Sequence, residues 1–286
     1  MIVRKRGINN IKGSMTMNFI KYIQSADGTN LYGKINTVNN SKANVIIVHG
    51  LAEYLDRYDE LAAFLNDNQF NVIRYDQRGH GRSEGKPVYY NNENEIIEDL
   101  DATVQCVMEN CPGNIYLIGH SMGGYAVTLY GTKHPGLVDG IITSGALTRN
   151  HLNLFGDLDS NHPYDMYIPN ELGEGLCSDE EVVQIYETDD LIAEDISMGL
   201  IYTLLDGVKI LKENAAYFTE PILILHGKDD GLVSYQDSLE LYNEIGSKHK
   251  SIHIYDGLQH EIFNESSYNK NIFREIVEWL TREINK

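Results

Sequence analysis

A net charge of −19 over 286 residues argues against nucleic-acid binding, which needs clustered Lys and Arg, and against adsorption to anionic lipid. An apolar fraction of 42% and a charged fraction of 23% fit a globular protein of the larger α/β size, or a core with an inserted subdomain. No apolar run is long enough to predict a membrane-spanning helix, so no stable membrane insertion is expected.

The N-terminus is basic (Arg4, Lys5, Arg6, Lys12), but no apolar stretch follows as in a secretory signal. Residues 1–17 show little periodicity and read as a loose tail. Phe19–Gln24 and Leu31–Asn36 flank the turn dipeptide Asp27-Gly28 and predict a hairpin. Short apolar runs then alternate with helix-period segments. The runs are Val45–Val48, Phe70–Tyr75, Ile115–Ile118, Val138–Thr143, Ile222–Leu225 and Ile252–Tyr255. The helical segments are Arg57–Asn68, Glu93–Glu109, Met122–His134, Tyr235–Ile245 and Asn269–Ile284. Such alternation predicts an α/β fold, a mostly parallel sheet with helices on both faces.

The alternation breaks over residues 148–214, which carry 15 Asp and Glu against 3 Lys and Arg. Most of the net charge therefore sits there. Its front, Asn150–Gly175, reads as loop, and its back, from Asp179, as two or three helices. This stretch is expected to be an acidic helical cap inserted into a core of residues 18–147 and 215–286. The three cysteines, Cys106, Cys111 and Cys177, have no metal-type spacing, and a reducing cytoplasm suits them best.

The strongest chemical signal is Gly119-His120-Ser121-Met122-Gly123-Gly124, directly after an apolar run and before a helical pattern. That is the context of a nucleophile elbow, in which a sharp strand-to-helix turn exposes the serine hydroxyl. Small residues at Gly119 and Gly123 allow strand and helix to approach. A serine nucleophile needs a base and an orienting acid. His260 follows the run Ile252–Tyr255 and the turn glycine Gly257, and is the best base of the ten histidines. The acid follows Ile222–Leu225, where Asp229 and Asp230 are adjacent. Asp230 is favoured, with Asp229 as a solvated or structural neighbour. The oxyanion donors are expected from the backbone amides of Met122 and of Leu51, in the loop after Val45–Val48. Such chemistry is expected to need no metal or cofactor, and a small-molecule ester is the expected partner.

Four separated motifs resemble the monoacylglycerol lipase and lysophospholipase-like branch of the α/β-hydrolases. They are His49-Gly50-Leu51-Ala52-Glu53 with Arg57-Tyr58, Asp76–Gly85, the elbow Gly119–Gly124, and the segment from Ser178-Asp179 to Asp189. The resemblance implies an eight-stranded sheet with the cap over the site, and the triad Ser121, Asp230, His260. It also implies oxyanion donors at Leu51 and Met122, and supporting roles for Glu53, Arg57 and His80. The cap front departs from the pattern, because Leu152, Leu154, Phe155 and Leu158 are interrupted by Asp157 and followed by Asp159. A general carboxylesterase on short or aryl esters, and a catalytically silent binding protein of the same fold, are the alternatives.

Overall fold

The computed structural model describes residues 3–9, 15–156, 161–173 and 175–286. Eleven strands are present among them. They are β1 (Val3–Asn9), β2 (Met15–Gln24), β3 (Asn30–Thr37), β4 (Asn44–Val48), β5 (Asn71–Tyr75), β6 (Ile115–His120), β7 (Gly140–Ser144), β8 (Tyr167–Pro169), β9 (Asp195–Ser197), β10 (Ile222–Gly227) and β11 (Lys250–Tyr255). The helices are α1 (Asp59–Asp67), α2 (Glu93–Asn110), α3 (Met122–Lys133), α4 (Glu180–Thr188), α5 (Met198–Asn214), α6 (Tyr235–Glu244) and α7 (Asn269–Ile284). No helix among the described residues is long and apolar enough to cross a membrane.

Nine strands form one sheet in the order β1-β2-β3-β5-β4-β6-β7-β10-β11. Pairing is parallel from β5 through β11 and antiparallel from β1 through to the β3–β5 pair. The central strands are buried along their whole length, which is why they read as nearly continuous apolar runs rich in Val, Ile and Leu. Successive side chains still point to opposite faces. Ile46, Val48, Leu117 and Ile224 join one apolar cluster, with α2, α3 and α5. Val45, Ile47, Ile118 and Leu225 join another, with α1 and α7. Helix α7 buries Ile272, Phe273, Ile276, Trp279 and Leu280, one stripe at helical spacing.

The eight expected strands are present, and β1 adds a ninth at the edge. The tail read as loose is therefore partly strand: Val3–Asn9 pairs with β2, and residues 15–17 begin β2. An open strand edge offers unpaired N–H and C=O groups to any extended segment, so pairing there needs no hydrophobic alternation. Residues 1–2 and 10–14 of that tail lie outside the described residues.

Between β7 and β10 the chain leaves the main sheet. It forms α4 and α5 and also a small antiparallel ribbon, β8–β9, not foreseen because three-residue strands show no period. Residues 157–160 and 174 of this stretch lie outside the described residues. Helix α5 is capped by Ser197, whose hydroxyl accepts from the Leu200 amide at 3.1 Å. It packs closely on α3: a Cβ at Gly207 would lie 1.8 Å from the Tyr125 hydroxyl. The last helix of the insertion is thus part of the main packing.

Candidate active site

Ser121 sits between β6 and α3 with φ +53° and ψ −115°, a backbone state that costs about 1–3 kcal/mol for a non-glycine residue. The turn is held by its amide, which donates to the Ser144 carbonyl at 2.9 Å, and by its carbonyl, which accepts from Tyr125 at 2.9 Å. The flanking glycines are sterically required. A Cβ at Gly123 would lie 2.1 Å from the Val48 carbonyl oxygen, and one at Gly119 would lie 2.3 Å from that of Gly123.

His260 follows β11 and its Gly257 turn, and Asp230 follows β10. The Nδ1–H of His260 donates to Asp230 Oδ2 at 2.7 Å, which leaves Nε2 as the free acceptor. The other Asp230 oxygen accepts from the amides of Leu232 at 2.9 Å and Val233 at 2.8 Å. Burial works against the Asp230 charge, but the His260 charge and the His226 hydrogen bond outweigh it and hold the carboxyl below its usual range. Burial likewise pushes the His260 imidazole down, and the Asp230 carboxylate more than reverses this, so its pKa is raised above the ordinary histidine value. Asp229, by contrast, points its side chain to solvent.

Two neighbours of this pair carried no role in the sequence reading. His226 Nε2–H donates to Asp230 at 2.9 Å, and its Nδ1 accepts from the Ser238 hydroxyl at 2.7 Å. Its place at the end of β10, four residues before Asp230, was the available signal. Gly145, with φ +54°, lies directly against the pair: a Cβ there would be 3.0 Å from His260 Nδ1. Only tertiary structure brings it there.

The loop after β4 carries Leu51 to the same place. A Cβ at Gly50 would lie 3.2 Å from that of Ser121. The Gly50 amide and the Tyr58 hydroxyl both donate to Glu53 Oε1, the latter at 2.6 Å. Arg57 bridges Glu53 at 2.9 Å and Glu261 at 2.5 Å, and all three side chains are buried. Glu53 and Arg57 are therefore not a solvated surface pair; they brace the loop against the residue after His260. Burial raises the Glu261 pKa, and Arg57 opposes the rise. His80 stands one layer further out. Its Nδ1 donates to the Arg78 carbonyl at 2.8 Å, and its ring lies 5.4 Å from that of His49. His49 in turn accepts from the Gln77 amide at 2.8 Å. Asp76 pins the same turn by accepting from the amides of Leu55 at 2.8 Å and Arg82 at 2.9 Å.

Ser121, His260, Leu51 and Glu53 line one cavity of about 20 Å³ together with Leu154, Leu172, Leu176, Tyr186 and Leu232. That is about the volume of one water molecule. Leu154, Leu172 and Leu176, all from the chain between β7 and β10, thus line the same cavity as Ser121. Tyr186 also borders a groove of about 980 Å³ lined by Glu171, Glu187, Asp189, Asp190, Glu194 and Asp195.

Comparison with known proteins gives the family and the fold. Residues 39–267 match the family described as serine aminopeptidase, S33. A monoacylglycerol lipase of Mycolicibacterium smegmatis is 29% identical, covering 84% of this chain and 88% of its own. The monoglyceride lipase of Homo sapiens is 27% identical, covering 92% of this chain and 90% of its own. The crystal structure of the Paleococcus ferrophilus monoacylglycerol lipase superposes with a TM-score of 0.79 at 26% identity, covering 88% of this chain and 99% of that one. The chain belongs to the serine aminopeptidase, S33 family and has the α/β-hydrolase fold of its monoacylglycerol lipase-like members.

Proposed function

We propose that the chain is a carboxylic ester hydrolase that cleaves monoacylglycerols, with Ser121 as nucleophile, His260 as base and Asp230 as the orienting acid. The observation that carries this reading is the Asp230–His260 hydrogen bond of 2.7 Å beside a strained Ser121 in the same cavity. His260 Nε2 takes the Ser121 proton as Oγ bonds to the ester carbonyl carbon. The amides of Leu51 and Met122 hold the oxyanion. Asp230 stabilises the imidazolium. His260 then protonates the alcohol oxygen as the C–O bond breaks, and water releases the acid from Ser121 by the reverse proton path. The residues of the insertion, with Leu154, Leu172, Leu176 and Tyr186, act as the cap.

The family description names a peptidase, and two features favour an ester. Within the Ser121 cavity the two carboxylates, Glu53 and Glu261, both hold Arg57, so neither is free to hold an N-terminal ammonium there; the carboxylates of the acidic groove lie beyond Tyr186. The similar lipases also cover nearly the whole chain.

A panel of esters tests the substrate. Monoacylglycerols should be turned over faster than matched anionic lysophospholipids, because the acidic groove beside Tyr186 repels anions. Added salt should narrow that gap, since charges are screened over about 10 Å at ~0.1 M. Equal turnover at low salt refutes the head-group preference, and a preference for short aryl esters over monoacylglycerols makes the chain a general carboxylesterase.

The pH dependence follows from the raised His260 pKa. The base must be neutral, and a raised pKa keeps it protonated to higher pH. The acid limb of kcat/KM is therefore expected at higher pH than for a free imidazole, falling about tenfold per pH unit below its midpoint. A profile flat through this range removes His260 from the role.

A further inference from the structure

Helix α6 begins beside the triad and presents Asp237, Glu240 and Glu244 at helical spacing. Asp237 is fully buried, and four successive backbone amides converge on its carboxylate. Oδ2 accepts from Thr148 at 3.3 Å, Arg149 at 2.8 Å and Asn150 at 2.7 Å. Oδ1 accepts from the amide of His151 at 3.2 Å and from its Nδ1 at 2.8 Å. His151 Nε2 meets Glu240 at 2.9 Å, and Arg149 donates to Glu244 at 2.6 Å. Converging amides of this kind form a cradle for an anion, filled here by a side chain of the same protein.

The segment so held joins the triad to the cavity wall. It starts at Gly145, against His260. Leu147 donates to the Ser121 carbonyl at 3.4 Å. Beyond the clasp, Asn150, at φ +63°, accepts from the Leu154 amide at 2.9 Å, and Leu154 faces Ser121 across the cavity. The next residue of α6, Ser238, supports Asp230 through His226. One turn of helix therefore braces two different parts of the site.

We propose that Asp237 is a positioning residue that sets substrate binding by holding Thr148–His151, and through them Leu154, over Ser121. This deepens the ester-hydrolase reading and rests on it. Asp237→Asn keeps the size of the side chain but turns an NH2 group toward amide donors. Hydrogen exchange of the Arg149, Asn150 and His151 amides should speed up about tenfold or more in this variant. With a neutral long-chain p-nitrophenyl ester, KM should rise about tenfold with kcat within about twofold, the mark of lost binding without lost chemistry. Ser238→Ala should show the opposite split, lowering kcat. Leu154→Ala should raise KM alike, and Asp237→Asn should add nothing to it, because coupled residues are not additive. His151→Ala, altered from the solvent side, should give part of the same KM rise if Asp237→Asn folds poorly. Unchanged exchange at Arg149–His151, or full additivity with Leu154→Ala, overturns the proposal. Fluorophosphonate labelling of Ser121, run on each variant, separates this outcome from failure of the catalytic assignment.

Discussion

Ser121→Ala is expected to lower kcat for ester hydrolysis by about 10⁶-fold, with the residue left over water owed to oxyanion donors and binding. The fold should survive. The bonds that hold the elbow are made by the Ser121 backbone, to Ser144 and Tyr125, and the substitution keeps both. Steady-state turnover of a chromogenic ester, with thermal unfolding as the folding check, measures it. Turnover near that of the native protein in a folded variant excludes Ser121 as nucleophile.

Asp230→Asn is expected to lower kcat by about 10⁴-fold, while Asp229→Asn stays within about twofold. The reason is the tautomer. Asp230 accepts the Nδ1 proton of His260 and the Nε2 proton of His226 on one oxygen. An amide NH2 facing His260 makes Nδ1 the acceptor and moves the proton to Nε2, where the base must be free. The opposite oxygen still needs to accept from Leu232 and Val233, so the amide group has no orientation that serves both sides. Asp229 offers its side chain to solvent and shares none of these contacts. Kinetics of the two variants side by side decide the acid, and a larger loss at Asp229 transfers the role.

Much of this site was legible because its parts are local. The Gly119–Gly124 elbow needs small residues within a few positions of the serine, and steric demands at that range are written in order along the chain. Asp230 follows the buried strand β10 and His260 the half-exposed edge strand β11, and the two apolar runs mark where the C-terminal edge of the sheet lies. What stayed hidden is the long-range pairing. Glu261 meets Arg57 across 204 residues, and Asp237 meets Thr148–His151 across almost 90. No periodicity announces such contacts. Gly145 looked like any loop glycine until His260 came to rest against it. The edge strand β1 escaped for another reason: its pairing uses backbone groups, which every residue has.

The most direct test of the account is to treat the protein with a fluorophosphonate and locate the adduct by peptide mass spectrometry, in the native chain and in His260→Ala. The account predicts one stoichiometric adduct, on the peptide containing Ser121, and labelling slowed by orders of magnitude without His260. An adduct on another serine, or labelling at Ser121 that is indifferent to His260, contradicts it.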